Sequence, residues 1–187
     1  MGKTKAVAWF VPSDTILKQT YQNLKNPLHP YRQKIDTLFN GRVEVYDKQA
    51  LLYGQNFNPI VVEEQLSIFV LSIQSFASTA KDKRLVYSEN EHLTEFTKTY
   101  NHHEKRIEGA DETSLIQVLA HRNPVRIIDE SHNFEGNLRV DTLTNINPSF
   151  VLNLTATPRE KSNIISFVSP ARLKNENMVK LPVMVSN

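Results

Sequence analysis

The chain has no cysteine among its 187 residues, which excludes disulfides, thiolate metal sites and cysteine nucleophiles. Glycine is nearly as scarce: five residues, at positions 2, 41, 54, 109 and 136. They stand too far apart to build a glycine-rich phosphate loop of either common spacing. No apolar run approaches the ~20 residues of a membrane-spanning helix, and the segment after Met-Gly-Lys-Thr-Lys lacks the apolar core of an export signal. Neither charge dominates. Lys and Arg number 22 against 20 Asp and Glu, a net charge of +2, so the strongly basic footprint of many nucleic-acid binders is missing. Binding through backbone amides and hydroxyls stays open, because those groups carry no formal charge. What is present, 40% hydrophobic and 22% charged residues, describes a globular chain able to bury one core. The expectation is a cytoplasmic protein with no membrane partner.

Six short apolar runs punctuate the chain: Ala6–Val11, Val43–Tyr46, Leu66–Ser72, Val125–Asp129, Phe150–Leu154 and residues 179–185. Most are continuous rather than alternating, the pattern of strands covered on both faces. Helical spacing lies between them. Ile16, Leu17, Thr20 and Leu24 share one face of a helix over 14–24. Tyr31, Ile35, Leu38 and Phe39 share one over 28–39, which Gly41 stops. Leu115, Ile116, Val118 and Leu119 share one over 112–121, ended by Asn123-Pro124. Strand and helix in alternation predict an α/β fold with a mainly parallel sheet. Residues 77–111, rich in Lys, Glu, Asn, Thr and His, read as an exposed insertion. Pro182 makes the last run an edge strand or a linker.

Three segments carry chemistry. Val125–Asp129 runs into Glu130, Ser131 and His132, placing two adjacent acids where parallel sheets bind ligands. One acid can hold Mg²⁺ through its water shell while the other polarises an attacking water; an acidic helix cap is the competing reading. Phe150–Leu154 ends in Thr155-Ala156-Thr157-Pro158, 26 residues after Asp129, room for one helix and a return to the same sheet edge. A Thr-rich turn stopped by proline would look the same. Ala6–Val11 leads into Pro12, Ser13 and Asp14, with Gln19 seven residues after Pro12. Ser13 or Asp14 caps a helix whose first-turn amides can seat an anion.

Together these segments resemble the first motor domain of superfamily-two helicases. Pro12 to Gln19 is similar to motif Ia, Asp129-Glu130-Ser131-His132 to the Walker B element of the DEAH/DExH type, and Thr155-Ala156-Thr157 to motif III. Residues 67–76 sit where motifs Ib and Ic fall. The wording around them, VAWFVPSDTIL, NPLHPYRQKI, VRIIDESHNFEG and NLTATPRE, most resembles the restriction (Res) subunit of type III restriction enzymes. The resemblance implies a RecA-like three-layer sandwich that uses ATP and Mg²⁺ and acts on DNA, duplex or single-stranded. It implies a modification (methyltransferase) subunit as partner. It implies that Asp129 binds Mg²⁺ through water, that Glu130 is the base for ATP hydrolysis, and that His132 couples the nucleotide site to Thr155 and Thr157. Pro12, Ser13 and Gln19, with Ser72 and Gln74, would lie at the nucleic-acid backbone.

Gly2-Lys3-Thr4 matches the end of a Walker A loop, GxxxxGK[ST]. A phosphate-loop lysine must open a helix, whereas an apolar strand-like run begins here at Ala6. The match reads as coincidence, and the expected fold lacks the Walker A strand and helix. Residues 1–172 then form a partial first motor domain, and 173–187 an edge strand or linker toward a second. The expected function is part of an ATP-dependent helicase or translocase, inactive in isolation. The alternative is a non-enzymatic α/β domain that binds nucleic acid or protein and carries degenerate helicase motifs. His92, His102, His103 and Glu104, like Lys81, Lys83 and Arg84, read as solvated surface, and Trp9 as core.

Overall fold

The structure, a computed structural model, describes residues 5–72, 74, 76, 85–100, 106–129, 137–155 and 163–176. The chain divides into two compact units, residues 1–156 and 157–187. In the first, β1 (Ala6–Val11), β2 (Val43–Tyr46), β3 (Leu66–Ser72), β4 (Val125–Asp129) and β5 (Phe150–Leu154) form one sheet in the order β2-β3-β1-β4-β5. Every pairing is parallel, as the continuous apolar runs predict. The fold is α/β and of RecA-like type.

Period-two alternation splits the strand side chains between two cores. Val7, Trp9, Val43, Val45, Ile68 and Val70 face α1 (Asp14–Lys25) and α2 (Pro30–Phe39), meeting Leu17, Tyr21, Leu24 and Ile35. Ala8, Phe10, Tyr46, Phe69 and Leu71 face the other way. There they meet α3 (Lys48–Leu52), α4 (Pro59–Glu64), α5 (Leu115–His121) and the end of α6 (Asn137–Asn145). Side-chain caps start the helices: Ser13, Asp47, Asn58 and Ser114 each accept from a first-turn amide. The second unit contains a helix, α7 (Pro170–Asn175), and an Arg172–Glu176 ion pair at 3.1 Å. The boundary expected after residue 172 falls inside this helix, and the apolar run 179–185 lies outside the described residues.

Three expectations need correction. Part of the supposed exposed insertion is core: Val86, Leu93 and Phe96 are fully buried and Tyr87 nearly so. Leu93 and Phe96 sit three residues apart on a 3₁₀ helix, Glu91–Thr99, whose three-residue repeat puts them on one face. The Phe96 ring lies 4.8 Å from Phe57, which in turn meets Tyr46 and Phe69. Residues 77–84 and 101–105 lie outside the described residues. Second, only Ile35 of the four apolar residues assigned to the α2 face packs inward. Third, among the described residues of the first unit β5 is not covered on both faces. It is the sheet's edge, and Phe150, Val151 and Leu154 are exposed.

His121, at the end of α5, stacks on Tyr100 with ring centroids 3.7 Å apart and planes 12° from parallel. Gln117 accepts the Ile107 amide on Oε1, so its Nε2 is the donor that meets His121 Nε2 at 2.9 Å. The imidazole nitrogen is therefore an acceptor, and the ring neutral. Burial also holds the His121 pKa below its ordinary 6.5. Between that lowered value and 6.5 the unfolded chain binds the extra proton and the folded chain does not. This contribution to stability is complete above pH 6.5 and declines as the pH falls below it. Urea midpoints measured from pH 7.5 to 5 should fall less steeply in His121→Gln than in the wild type; identical slopes would show that His121 does not set this dependence.

Candidate functional site

Because all five strands run the same way, their carboxyl ends line one edge of the sheet, the edge where ligands bind in such folds. Asp129 closes β4, and its ladder partner on β5 is Leu154. Thr155 is the next residue, so Asp129 and Thr155 stand at the carboxyl ends of neighbouring strands, one register position apart. On the other flank Ile128 pairs with Phe10 of β1, which brings the exit Val11-Pro12-Ser13 next to Asp129. Ser13 caps α1: its Oγ accepts the Ile16 amide at 3.4 Å and its carbonyl the Leu17 amide at 2.9 Å. The positive end of the α1 dipole thus lies at the same edge. Asp129 and Thr155 offer oxygen donors only, the chemistry that suits a Mg²⁺ ion which keeps part of its water shell. Among the described residues no three His, Asp or Glu side chains gather as a closed metal site.

The remaining residues divide. Pro12 and Ser13 are half-buried at the edge, whereas Gln19 is exposed on the side of α1 opposite Leu17 and Leu24, more than a turn from the strand ends. Ser72 closes β3 and is fully buried; Gln74 is exposed. Glu130, His132 and Thr157 lie outside the described residues. β1 begins at Ala6, so Lys5 alone separates it from Thr4. Gly2, Lys3 and Thr4 themselves lie outside the described residues. His92 stacks edge-on to Tyr53 at 6.0 Å.

Arg126 was not singled out from the sequence. It sits mid-strand in β4, half-buried, and donates to the Leu143 carbonyl of α6 at 2.5 Å. Burial lowers its pKa. This contact ties the last turn of α6 to β4, and so anchors the chain before and after the acidic motif. A charged residue inside an otherwise apolar strand was the available signal.

Trp9 is half-buried rather than fully in the core, and its Nε1 is shielded from solvent with no hydrogen-bond partner. It lies on the sheet face it shares with Ile127 and Leu152, its neighbours across the ladders. Among the described residues of the first unit, no helix covers that face over β4 and β5: α1 and α2 cover β2, β3 and part of β1.

No curated protein matches the chain closely. Over residues 1–160 the sequence matches the family described as type III restriction enzyme, res subunit, a helicase-like domain family. With that match spanning most of its length, the chain belongs to the type III restriction enzyme res-subunit family.

Proposed function

We propose that this chain forms most of one motor lobe of an ATP-dependent DNA translocase, the restriction subunit of a type III restriction endonuclease, coupling ATP hydrolysis to movement along DNA. The observation that carries the proposal is the pairing of Asp129 with Leu154 at the carboxyl ends of β4 and β5, which leaves Thr155 one residue beyond it. In this reading the Asp129 carboxylate holds Mg²⁺ through its water shell and the Thr155 hydroxyl, at the end of the neighbouring strand, senses it. ATP, when bound, would supply the electrophilic phosphoryl group, and Mg²⁺ would neutralise the charge on its oxygens. Glu130 takes the proton of the attacking water, and His132 relays the state of the site to Thr155 and Thr157. Pro12 and Ser13 line the edge that faces the DNA backbone, the exposed Gln19 and Gln74 extend that surface, and Ser72, fully buried, holds the end of β3 rather than touching DNA. A methyltransferase modification subunit is the expected partner.

Connection handedness supports the same reading. The chain moves from β1 to β2 in one direction with α1 and α2 on one face. It then returns through β3 and β4 to β5 with α3 to α6 on the other. Parallel crossovers are right-handed in nearly all cases. A strand paired to the open side of β5 and leading into β1 would travel in the β1-to-β2 direction. Its helix would therefore fall on the uncovered face over Trp9, Ile127 and Leu152. That is where a phosphate-binding strand and helix would bring their loop to Asp129.

Residues 1–187 on their own should release no phosphate from ATP above background, with or without DNA. They carry no phosphate loop, and the arginine finger of a second lobe is worth about 10³–10⁵ in rate in related NTPases. Placing a strand–GxxxxGK[ST]–helix unit ahead of β1 should give Mg²⁺-dependent ATP binding that Asp129→Ala weakens. Nucleotide binding indifferent to Asp129→Ala in that protein would count against the proposal.

A further inference from the structure

α2 is a helix with no buried side chain. Leu28, just before it, and Tyr31, Leu38 and Phe39 on it are 79, 66, 65 and 45% exposed. Leu28, Tyr31 and Leu38 follow i, i+3, i+10 spacing in a stripe along one side of the helix and Phe39 borders it, while Ile35 between them packs inward. The stripe is held rigidly. The Arg32 guanidinium pairs with Asp36 at 2.8 Å and donates to the Leu24 and Val43 carbonyls, each at 3.0 Å, fastening α2 to α1 and β2. His29 caps the start through Nδ1, and Asn40 and Gly41, both at positive φ, end it. Large apolar side chains held open on a fastened helix mark an interaction surface rather than a frayed segment.

The charges beside the stripe that have no ion-pair partner among the described residues have one sign. Lys34 lies beside it on α2 and Arg42 follows the turn after it, both exposed and neither with a carboxylate partner among the described residues. The nearby acids are engaged, Asp36 by Arg32 and Glu44 by Lys25. We propose that this face docks an acidic amphipathic helix of a partner protein, with its apolar side on Leu28, Tyr31, Leu38 and Phe39 and its carboxylates meeting Lys34 and Arg42. A second copy of this chain fits poorly, because a two-fold contact through this patch brings two sets of the same unpaired cations together and supplies no carboxylates to meet them.

The test uses two synthetic helical peptides with the same leucine stripe, one with glutamate and one with lysine at the remaining positions, titrated into the 187-residue chain by fluorescence anisotropy. The glutamate peptide should bind and the lysine peptide should not. Leu38→Glu should weaken binding about tenfold or more. The double variant Lys34→Glu/Arg42→Glu should weaken it as well and remove its salt dependence. All three residues are exposed, so unfolding midpoints should stay at the wild-type value. Equal binding of both peptides, binding unaffected by Leu38→Glu, or no binding of the glutamate peptide would overturn the proposal. So would a dimer of the chain that Leu38→Glu dissolves.

Discussion

Glu130→Gln, made in a protein that joins this chain to a phosphate loop and a second motor lobe, is expected to bind ATP and DNA normally and to hydrolyse ATP about 10²–10⁴-fold more slowly. Glutamine keeps the size of the side chain and loses its basicity, so it can orient the attacking water but cannot take its proton. Asp129 is unaltered by the change, and its place at the end of β4 is set by the ladders to β1 and β5, so metal and nucleotide affinity should hold. Steady-state phosphate release and equilibrium nucleotide binding separate the outcomes. Unchanged turnover would remove Glu130 from the mechanism. Loss of binding together with turnover would mean that Glu130 holds the nucleotide rather than activating water, and the division of labour between the two acids would need to be reassigned.

How much of this was legible in the sequence depends on the range of the forces involved. The five strands were visible because a parallel strand buried on both faces is written as a continuous apolar run, and Ala6–Val11 and Leu66–Ser72 are such runs; Val125–Asp129 reads the same way apart from Arg126 but is only half-buried. The same rule misjudged Phe150–Leu154, whose apolar content is equal but whose place at the edge is a property of strand order. Nothing local distinguishes it from a central strand. The neighbourhood of Asp129 and Thr155 followed from chain length and connection handedness. The partial burial of Trp9 and the clamp from Arg126 to Leu143 were not available, since both depend on which helix covers which strand. In α2 the periodicity correctly gave a helix but not what its apolar stripe touches: Ile35 reaches the core while Tyr31 and Leu38 do not. The segment around Leu93 and Phe96 failed for a different reason. Its polar composition hid two core residues at a three-residue spacing, which a search for longer amphipathic helices passes over.

That segment gives the largest expected effect on stability. Phe96→Ala should cost about 3–5 kcal/mol of unfolding free energy. Phe96 is 1% exposed, and its ring stands against Phe57, which links it through Tyr46 and Phe69 to β2 and β3. Removing the ring forfeits its transfer from water and leaves a cavity that neighbours already pinned on the sheet cannot close. A 3₁₀ helix has weaker backbone hydrogen bonding than an α-helix, so Glu91–Thr99 depends on Leu93 and Phe96 to stay attached, and amide exchange there should accelerate along with the global loss. Leu38→Ala is the matched comparison: it also truncates a large apolar side chain, but one already in water, and should change stability by less than about 0.5 kcal/mol. Urea denaturation of the two variants decides the matter, with m-values compared to confirm a common unfolding transition. If Phe96→Ala moves the midpoint no further than Leu38→Ala does, residues 91–99 are a surface excursion after all; a shift several times larger makes them part of the core on which the Asp129 edge is built.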